Sequence, residues 1–143
     1  MSDRADHDAD IRSVLARIAQ LADTATDLDD YVALFAEDAV WGMPANPALD
    51  LPANQKHGRA EIRAGAEERR ASGIQGPGTN TRHVLTTTSV NVESDDRATA
   101  RSYYLFVDST TTTPTIRTIG QYDDVLVRGA DGWQLARRDI TIG

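Results

Sequence analysis

The chain has 143 residues, of which 40% are hydrophobic and 26% charged, a length and composition typical of one soluble globular domain. Its 22 acidic and 15 basic residues give a formal net charge of -7, which disfavours a nucleic-acid partner because the phosphate backbone is also anionic. The lack of cysteine excludes disulfides, thiolate nucleophiles and thiolate metal sites.

The N-terminal stretch, MSDRADHDADIRS, is acidic and polar. It lacks the basic and apolar regions of a signal peptide, and no later apolar run approaches the length of a membrane span. We therefore expect a cytoplasmic protein without membrane association, with a single domain over residues 1–143 and a flexible tail over residues 1–8.

Two helices are predicted in the first third of the chain. The first has Asp8 or Asp10 as its N-cap and an apolar face with three-and-four spacing, formed by Ile11, Val14, Leu15, Ile18, Leu21 and Ala22. The second is short, with Thr26 or Asp27 as its N-cap, and leads into an apolar turn or strand at 39–41. Its apolar side is formed by Tyr31, Leu34 and Phe35.

A loop and a third helix are predicted next. Residues 42–57 contain three of the five prolines and no clean period, which is typical of a loop long enough to wall a pocket. The segment GRAEIRAGAEERRASG, residues 58–73, predicts a helix anchored by Ile62 and closed by Gly73.

From residue 82 the apolar period becomes that of strands. RHVLTTTSVNVES and RATARSYYLFVDS flank an Asp-Asp turn, and two more β-branched runs surround GADG, so about four consecutive antiparallel strands are expected. Helices followed by a meander of strands predict an α+β domain whose helices cover one face of a curved sheet. Such a sheet leaves a cone whose open end can hold a small ligand.

Six segments in this order resemble the SnoaL-like branch of the nuclear transport factor 2-like superfamily. They are LDDYVALFAEDAVW (28–41), GRAEIR (58–63), TRHVLTTTSVNV (81–92), ATARSYYLFV (98–107), GQYDDVLVR (120–128) and DGWQLARRDI (131–140). The resemblance implies a cone-shaped α+β barrel, with the N-terminal helices in the concave face of a curved, mostly antiparallel sheet. It also implies a homodimer or higher homo-oligomer, often formed through the open face of the sheet.

The resemblance further implies a type of chemistry. Enzymatic relatives include scytalone dehydratase, bile acid 7α-dehydratase, the hexachlorocyclohexane dehydrochlorinase, ketosteroid isomerase and polyketide cyclases. Most of them move a proton on a hydrophobic or polycyclic substrate without a metal or an organic cofactor. The dehydratase and dehydrochlorinase members use a histidine at the start of a strand, paired with an aspartate near the end of the first helix. Here the implied positions are His83 and Asp23.

Both positions leave an alternative open. An imidazole in a cavity can act as a general base, and a carboxylate on its other nitrogen fixes the tautomer; otherwise His83 is a surface residue or satisfies a loop carbonyl. In the family the acid commonly lies three residues before the aspartate that opens the second helix, whereas Asp23 lies four before Asp27, which makes Thr24 the equivalent position. On a helical wheel Asp23 is about 140° from Ile18, so a solvated helix-end carboxylate is the alternative.

Five further residues are candidates for binding the substrate: Tyr31, Trp41, Asn91, Tyr104 and Arg138. Tyr103 and Tyr104 are neighbours in a strand, so at most one of them can line the pocket. The alternative for Trp41 is core packing, and for Arg138 a surface salt bridge.

The other two histidines are weaker candidates, because His7 falls in the predicted tail and His57 in the loop before the third helix. No metal site is expected, since the three histidines are far apart and form no H-x-x-x-H array.

The leading hypothesis is a cofactor-independent lyase or isomerase, dehydratase-like, in which His83 is the general base on a small hydrophobic cyclic substrate. The alternative is a non-catalytic ligand-binding or dimerisation module of the same fold. A third reading, the β subunit of a ring-hydroxylating dioxygenase, would require a longer chain and a partner subunit.

Overall fold

The computed structural model describes residues 3–143, which form three helices and six strands. In chain order these are α1 (Arg4–Thr24), α2 (Asp29–Ala33), β1 (Phe35–Met43), β2 (Asn54–His57), α3 (Gly58–Ala71), β3 (Arg82–Val92), β4 (Arg97–Asp108), β5 (Thr115–Gly129) and β6 (Gly132–Ile142). A short 3-10 turn, Pro47–Leu49, lies between β1 and β2.

The strands form one curved, unclosed sheet in the order β2-β1-β6-β5-β4-β3. Neighbouring strands are antiparallel except β1 and β6, which are parallel. Register shifts interrupt several pairs, and in β3 the shift surrounds Thr87, whose φ of 53° is rare for a β-branched residue. Such bulges bend strands and let the sheet curve around α1. The predicted α+β fold is confirmed.

The core lies between α1 and the concave face of this sheet. The inward face of α1 buries Ile11, Leu15, Ile18 and Ala22, and the helix packs chiefly on β3 and β6. The third helix and the four strands from β3 to β6 follow their predictions closely, because their sequence periods match their burial. No helix formed by residues 3–143 is long and apolar enough to cross a membrane.

The predicted N-terminal tail is instead helical over residues 4–8, while Met1 and Ser2 lie outside the described residues. Asp3 is the N-cap, and its carboxylate accepts the backbone N–H of Asp6 at 2.9 Å. His7 is buried, with its ring edge-on to Trp133 at 5.3 Å. A histidine among acidic residues carries no apolar signal, so the sequence could not indicate that this turn is docked.

The second helix is shorter than predicted, and the predicted loop over residues 42–57 contains the strand β2. Phe35, predicted to belong to the helix, is instead the first residue of β1 and pairs with Leu135 of β6. The backbone N–H of Leu135 donates to the Leu34 carbonyl at 2.8 Å. Long-range pairing thus overrides local helix propensity. β2 pairs with β1, but its residues, NQKH, are all polar and give no alternation that could predict a strand.

Candidate active site

A cavity lies between α1, the concave face of the sheet and the segments that follow β1 and α3. Much of its wall is apolar, including Ile18, Ala22, Met43, Ile74, Phe106 and Ile140. Its polar side chains are Tyr31, Asn46, Arg69, Gln75, His83, Tyr104, Thr118, Tyr122 and Arg138. A mainly apolar pocket with a few converging polar groups is the usual form of a small-molecule site.

His83 and Asp23 form a two-point contact at one side of this cavity. The Nδ1 atom of His83 lies 2.7 Å from Asp23 Oδ1, and the backbone N–H of His83 donates to Asp23 Oδ2 at 2.9 Å. Because an ionised carboxylate only accepts, Nδ1 carries the proton. In the neutral ring Nε2 is then the nitrogen with the lone pair, and it has no hydrogen-bond partner within residues 3–143.

Asp23 reaches His83 because β3 begins beside the last turn of α1. The helix continues to Thr24, and the N–H of its C-cap Ala25 donates to the Leu21 carbonyl. Asp23 is buried there, whereas Thr24 is exposed and donates to the Gln20 carbonyl at 2.7 Å. A helical wheel identifies only the face of α1 that packs on the centre of the sheet. It could not show that β3 begins beside a different face of the helix, where Asp23 lies.

A buried ion pair forms the other charged part of the cavity. Arg138 donates through Nε and Nη2 to both carboxylate oxygens of Asp124, at 2.8 and 2.9 Å. Its guanidinium lies over the ring of Tyr122, 3.8 Å from the centroid, and Tyr122 stacks on Tyr104 at 4.4 Å. The alternative prediction for Arg138, a surface salt bridge, is wrong, because only 4% of the residue is exposed.

Burial and the charge of Asp124 together shift the pKa values of these groups. Burial raises the pKa of Tyr104 to about 12 and that of Tyr122 further, so both phenols stay neutral donors near neutrality. Desolvation alone would lower the pKa of Arg138, but the charge and hydrogen bonds of Asp124 raise it above its ordinary value. Arg138 therefore presents a permanent positive charge to the cavity.

The strand registers order these side chains along the sheet. His83, Phe106 and Thr118 are neighbours in one row across β3, β4 and β5, and Tyr104 belongs to the next row, opposite Gly120. A Cβ on Gly120 would lie 2.6 Å from Cε1 of Tyr104. The bare glycine therefore leaves the space that the Tyr104 ring and the backbone carbonyl of Thr141 occupy.

Comparison with known proteins places this architecture in a family. A model of the SnoaL-like domain matches residues 3–139. The chain is a SnoaL-like domain. Among curated proteins no significant match was found.

Three solved structures illustrate what this SnoaL-like domain is similar to. ActVI-ORFA from Streptomyces coelicolor is 33% identical, with a TM-score of 0.71, over 94% of this chain and 95% of that chain. A scytalone dehydratase-like protein from Novosphingobium aromaticivorans is 22% identical, with a TM-score of 0.71, over 94% and 83%. An NTF2-like protein with a cystatin-like fold from the same organism is 22% identical, with a TM-score of 0.77, over 99% and 91%.

Most of the predicted site residues of this SnoaL-like domain lie around the cavity. His83, Tyr31, Trp41, Tyr104 and Arg138 line it, and Asp23 contacts it through His83. Tyr103 is exposed on the opposite face of the sheet, as strand alternation requires.

Asn91 is the exception among the predicted binding residues, because it is exposed and lies outside this cavity. Its neighbours Val90 and Val92 pack in or against the core, so Asn91 must point to the opposite face of β3.

Six polar or charged residues of the site were not predicted: Asn46, Arg69, Gln75, Thr118, Tyr122 and Asp124. Asp124 could have been found, because in QYDDVLV it alternates with Tyr122 and Leu126 and so faces inward. Asn46 Nδ2 and Thr118 Oγ1 are buried and have no hydrogen-bond partner within residues 3–143. Loop and hydroxyl residues such as these carry no sequence pattern that marks them as cavity walls.

Proposed function

We propose that this SnoaL-like domain is a cofactor-independent lyase or isomerase, with His83 as general base on a small hydrophobic cyclic substrate. The observation that carries the proposal is the two-point contact between Asp23 and His83 beside a mainly apolar cavity. Asp23 fixes the tautomer in which Nε2 can accept a proton, and it stabilises the imidazolium that forms.

Elimination is the most concrete version of this chemistry. Nε2 of His83 accepts a proton from a carbon next to a carbonyl, and the C–H electron pair becomes an enolate. The enolate re-forms the carbonyl as a carbon–carbon double bond forms and the leaving group departs from the next carbon. A departing hydroxide takes the proton from the imidazolium and leaves as water, which returns His83 to its neutral form.

The developing negative charge on oxygen needs hydrogen-bond donors. Tyr104 is a phenol near neutrality, and burial raises its pKa further, to about 12. Arg138 is charged and lines the cavity. The Nη1 atom of Arg138 is not among the atoms that bind Asp124, so it is the guanidinium nitrogen that is available to a substrate. Donors held in place before the reaction stabilise an oxyanion without reorganisation.

The alternative, a non-catalytic ligand-binding module, is less well supported. It would be favoured by an Asp23 that faces solvent and a His83 without a carboxylate, whereas 6% of Asp23 is exposed and its carboxylate lies 2.7 Å from the imidazole. A buried carboxylate that fixes one ring tautomer serves proton transfer, which a non-catalytic binding module does not need.

Hydrogen exchange at an activated carbon tests the base without knowledge of the natural substrate. The protein in D2O should accelerate loss of the α-proton signal of a bicyclic ketone such as 2-tetralone, measured by proton NMR. His83→Gln should remove about 100-fold or more of that acceleration, the usual contribution of a positioned base. His57→Gln, which alters an exposed histidine bonded to Gln55, should leave it unchanged. Equal exchange by wild type and His83→Gln would refute the mechanism.

We also propose that the domain forms a homodimer through the face of the sheet opposite the helices. Four large apolar side chains are exposed in adjacent rows of β3, β4 and β5: Val84, Tyr103, Ile116 and Ile119. Tyr103→Glu should convert the dimer to a monomer in light scattering coupled to size exclusion. A wild-type mass equal to one chain would rule the dimer out.

A further inference from the structure

We propose that Arg69 and Lys56 form an anion-binding subsite at the edge of the cavity, which holds a carboxylate on the substrate. This inference rests on the proposed function, since it assigns a charged group to the substrate of the same cavity. Neither residue belongs to the His83 and Arg138 clusters described above.

Trp41 is the platform of this subsite. Lys56 of β2 lies directly opposite Trp41 of β1, so both side chains project from the same face of the strand pair. The guanidinium carbon of Arg69, from α3, lies 4.8 Å from the centroid of the Trp41 ring. Trp41 and Arg69 both line the cavity.

Gly65 brings the two cations close together. A Cβ on Gly65 would lie 3.1 Å from Cε of Lys56 and 3.3 Å from Nη1 of Arg69. Both side chains therefore meet over the bare face of this glycine, with those two atoms less than about 6.5 Å apart. Two cationic side chains held this close repel each other, and an anion bound between or beside them relieves that repulsion.

No carboxylate balances these charges within residues 3–143. Lys56 and Arg69 take part in no salt bridge there, whereas the other arginine of the cavity, Arg138, is paired with Asp124. The chain as a whole carries a net charge of -7, so an unbalanced positive pair is not the result of a general excess of cations. The cavity edge thus has two positive charges without a carboxylate partner within residues 3–143, which a bound anion would neutralise.

The chemistry of the pair favours a carboxylate. A guanidinium presents parallel N–H donors that match the two oxygens of a planar carboxylate, and an ammonium group adds a point charge. Because the guanidinium of Arg69 lies over the Trp41 ring at the edge of the cavity, a ligand with an apolar ring in the cavity can place its carboxylate there. We therefore assign the substrate to the class of cyclic or aromatic compounds that carry an acidic side chain.

Titration calorimetry with two isosteric probes tests this assignment. Naphthalene-1-acetate carries the carboxylate, and naphthalene-1-acetamide has the same shape without charge. The wild-type protein should bind the acid about tenfold or more tightly than the amide, and the preference should weaken as salt is raised. Arg69→Gln should abolish the preference, Lys56→Gln should reduce it, and Arg69→Lys should retain part of it because the charge remains.

A matched control lies on the same helix. Arg63→Gln removes the same charge from α3, but Arg63 is bonded to Asp29 at 2.6 Å, away from the Trp41 platform, so it should keep the full preference. Inorganic phosphate serves as a competing anion without an apolar ring. Tighter binding of phosphate than of the acid, equal binding of the two naphthalenes, or no binding of the acid would each overturn the assignment.

The subsite and the base can fail independently. His83→Gln should lose the exchange activity yet keep the preference for the acid, because Nε2 takes no part in the subsite. If Arg69→Gln keeps the exchange activity and still prefers the acid over the amide as strongly as wild type, the subsite alone is refuted. A His83→Gln variant with full exchange and an unchanged preference would refute the base alone.

Discussion

Replacement of Asp23 by asparagine should reverse the tautomer of His83, and the reason lies in the two-point contact. In the wild type, Oδ1 accepts from Nδ1 of His83 at 2.7 Å and Oδ2 accepts from its backbone N–H at 2.9 Å. An asparagine has one acceptor oxygen and one donor nitrogen. The backbone N–H can only donate, so it claims the amide oxygen and leaves the amide N–H2 facing Nδ1.

The consequence is a ring with its proton on the wrong nitrogen. Nδ1 must become an acceptor to satisfy the amide, so the proton moves to Nε2, which faces the cavity as a donor and no longer works as a base. The loss of base catalysis should reduce the α-exchange rate by about 100- to 10,000-fold. Replacing a bond to a charged acceptor by neutral ones should lower the free energy of unfolding by about 1–3 kcal/mol.

Nitrogen NMR of the 15N-labelled imidazole rings measures the tautomer directly, at a pH where the rings are neutral. The chain has three histidines, and His7 is an internal control because its Nδ1 accepts the Nε1–H of Trp133 at 3.2 Å. His83 should change from the Nδ1–H form in wild type to the Nε2–H form in Asp23→Asn, while His7 keeps the Nε2–H form in both. An unchanged His83 in the variant would refute the reasoning.

Three further predictions concern stability. The pKa of Tyr104 is raised to about 12 by burial, and that of Tyr122 is raised further. The contribution of Tyr104 to stability is therefore complete below about pH 10 and is lost as the pH rises towards 12. Urea unfolding across this range should show a falling free energy of unfolding, and Tyr104→Phe should make that fall smaller while Tyr122 still contributes to it. Gly120→Ala should destabilise by about 1–3 kcal/mol and weaken the near-ultraviolet signal of the stacked tyrosines, while Gly129→Ala, with nothing within 4 Å of a new Cβ, should do neither. His7→Leu leaves the Trp133 indole N–H without its acceptor and should lower the free energy of unfolding by about 1–3 kcal/mol, whereas His57→Leu at an exposed position should have little effect.

The sequence predicted best where burial follows a period. The apolar face of α1 identified that helix, and the alternation along β3 to β6 identified the strands and showed that only one of Tyr103 and Tyr104 can face the cavity. Prediction failed where a partner distant in sequence decides the structure. Phe35 is a strand residue because Leu135 pairs with it, and His7 is buried because Trp133 lies over it.

The same distinction applies inside the cavity. A resemblance could indicate His83 because a histidine at a strand start is a local feature. Asp23 remained open, since only the docking of α1 on β3 decides whether a helix-end carboxylate meets the imidazole. Arg69 was missed for a similar reason, because nothing in the sequence of α3 indicates that Trp41 and Lys56 lie beneath it.

Both charged clusters of the cavity are oriented in the same physical way. Asp23 holds the ring and the backbone of His83, and Asp124 holds two nitrogens of Arg138, so each functional group is fixed at two points by a buried carboxylate. Two contacts define a direction as well as a position, which a single hydrogen bond does not. The nitrogens left over, Nε2 of His83 and Nη1 of Arg138, are the ones available to a ligand. For the proposed base chemistry, an apolar cavity in which His83 and Arg138 are already oriented needs little reorganisation during proton transfer, and this favours the catalytic interpretation over a binding role.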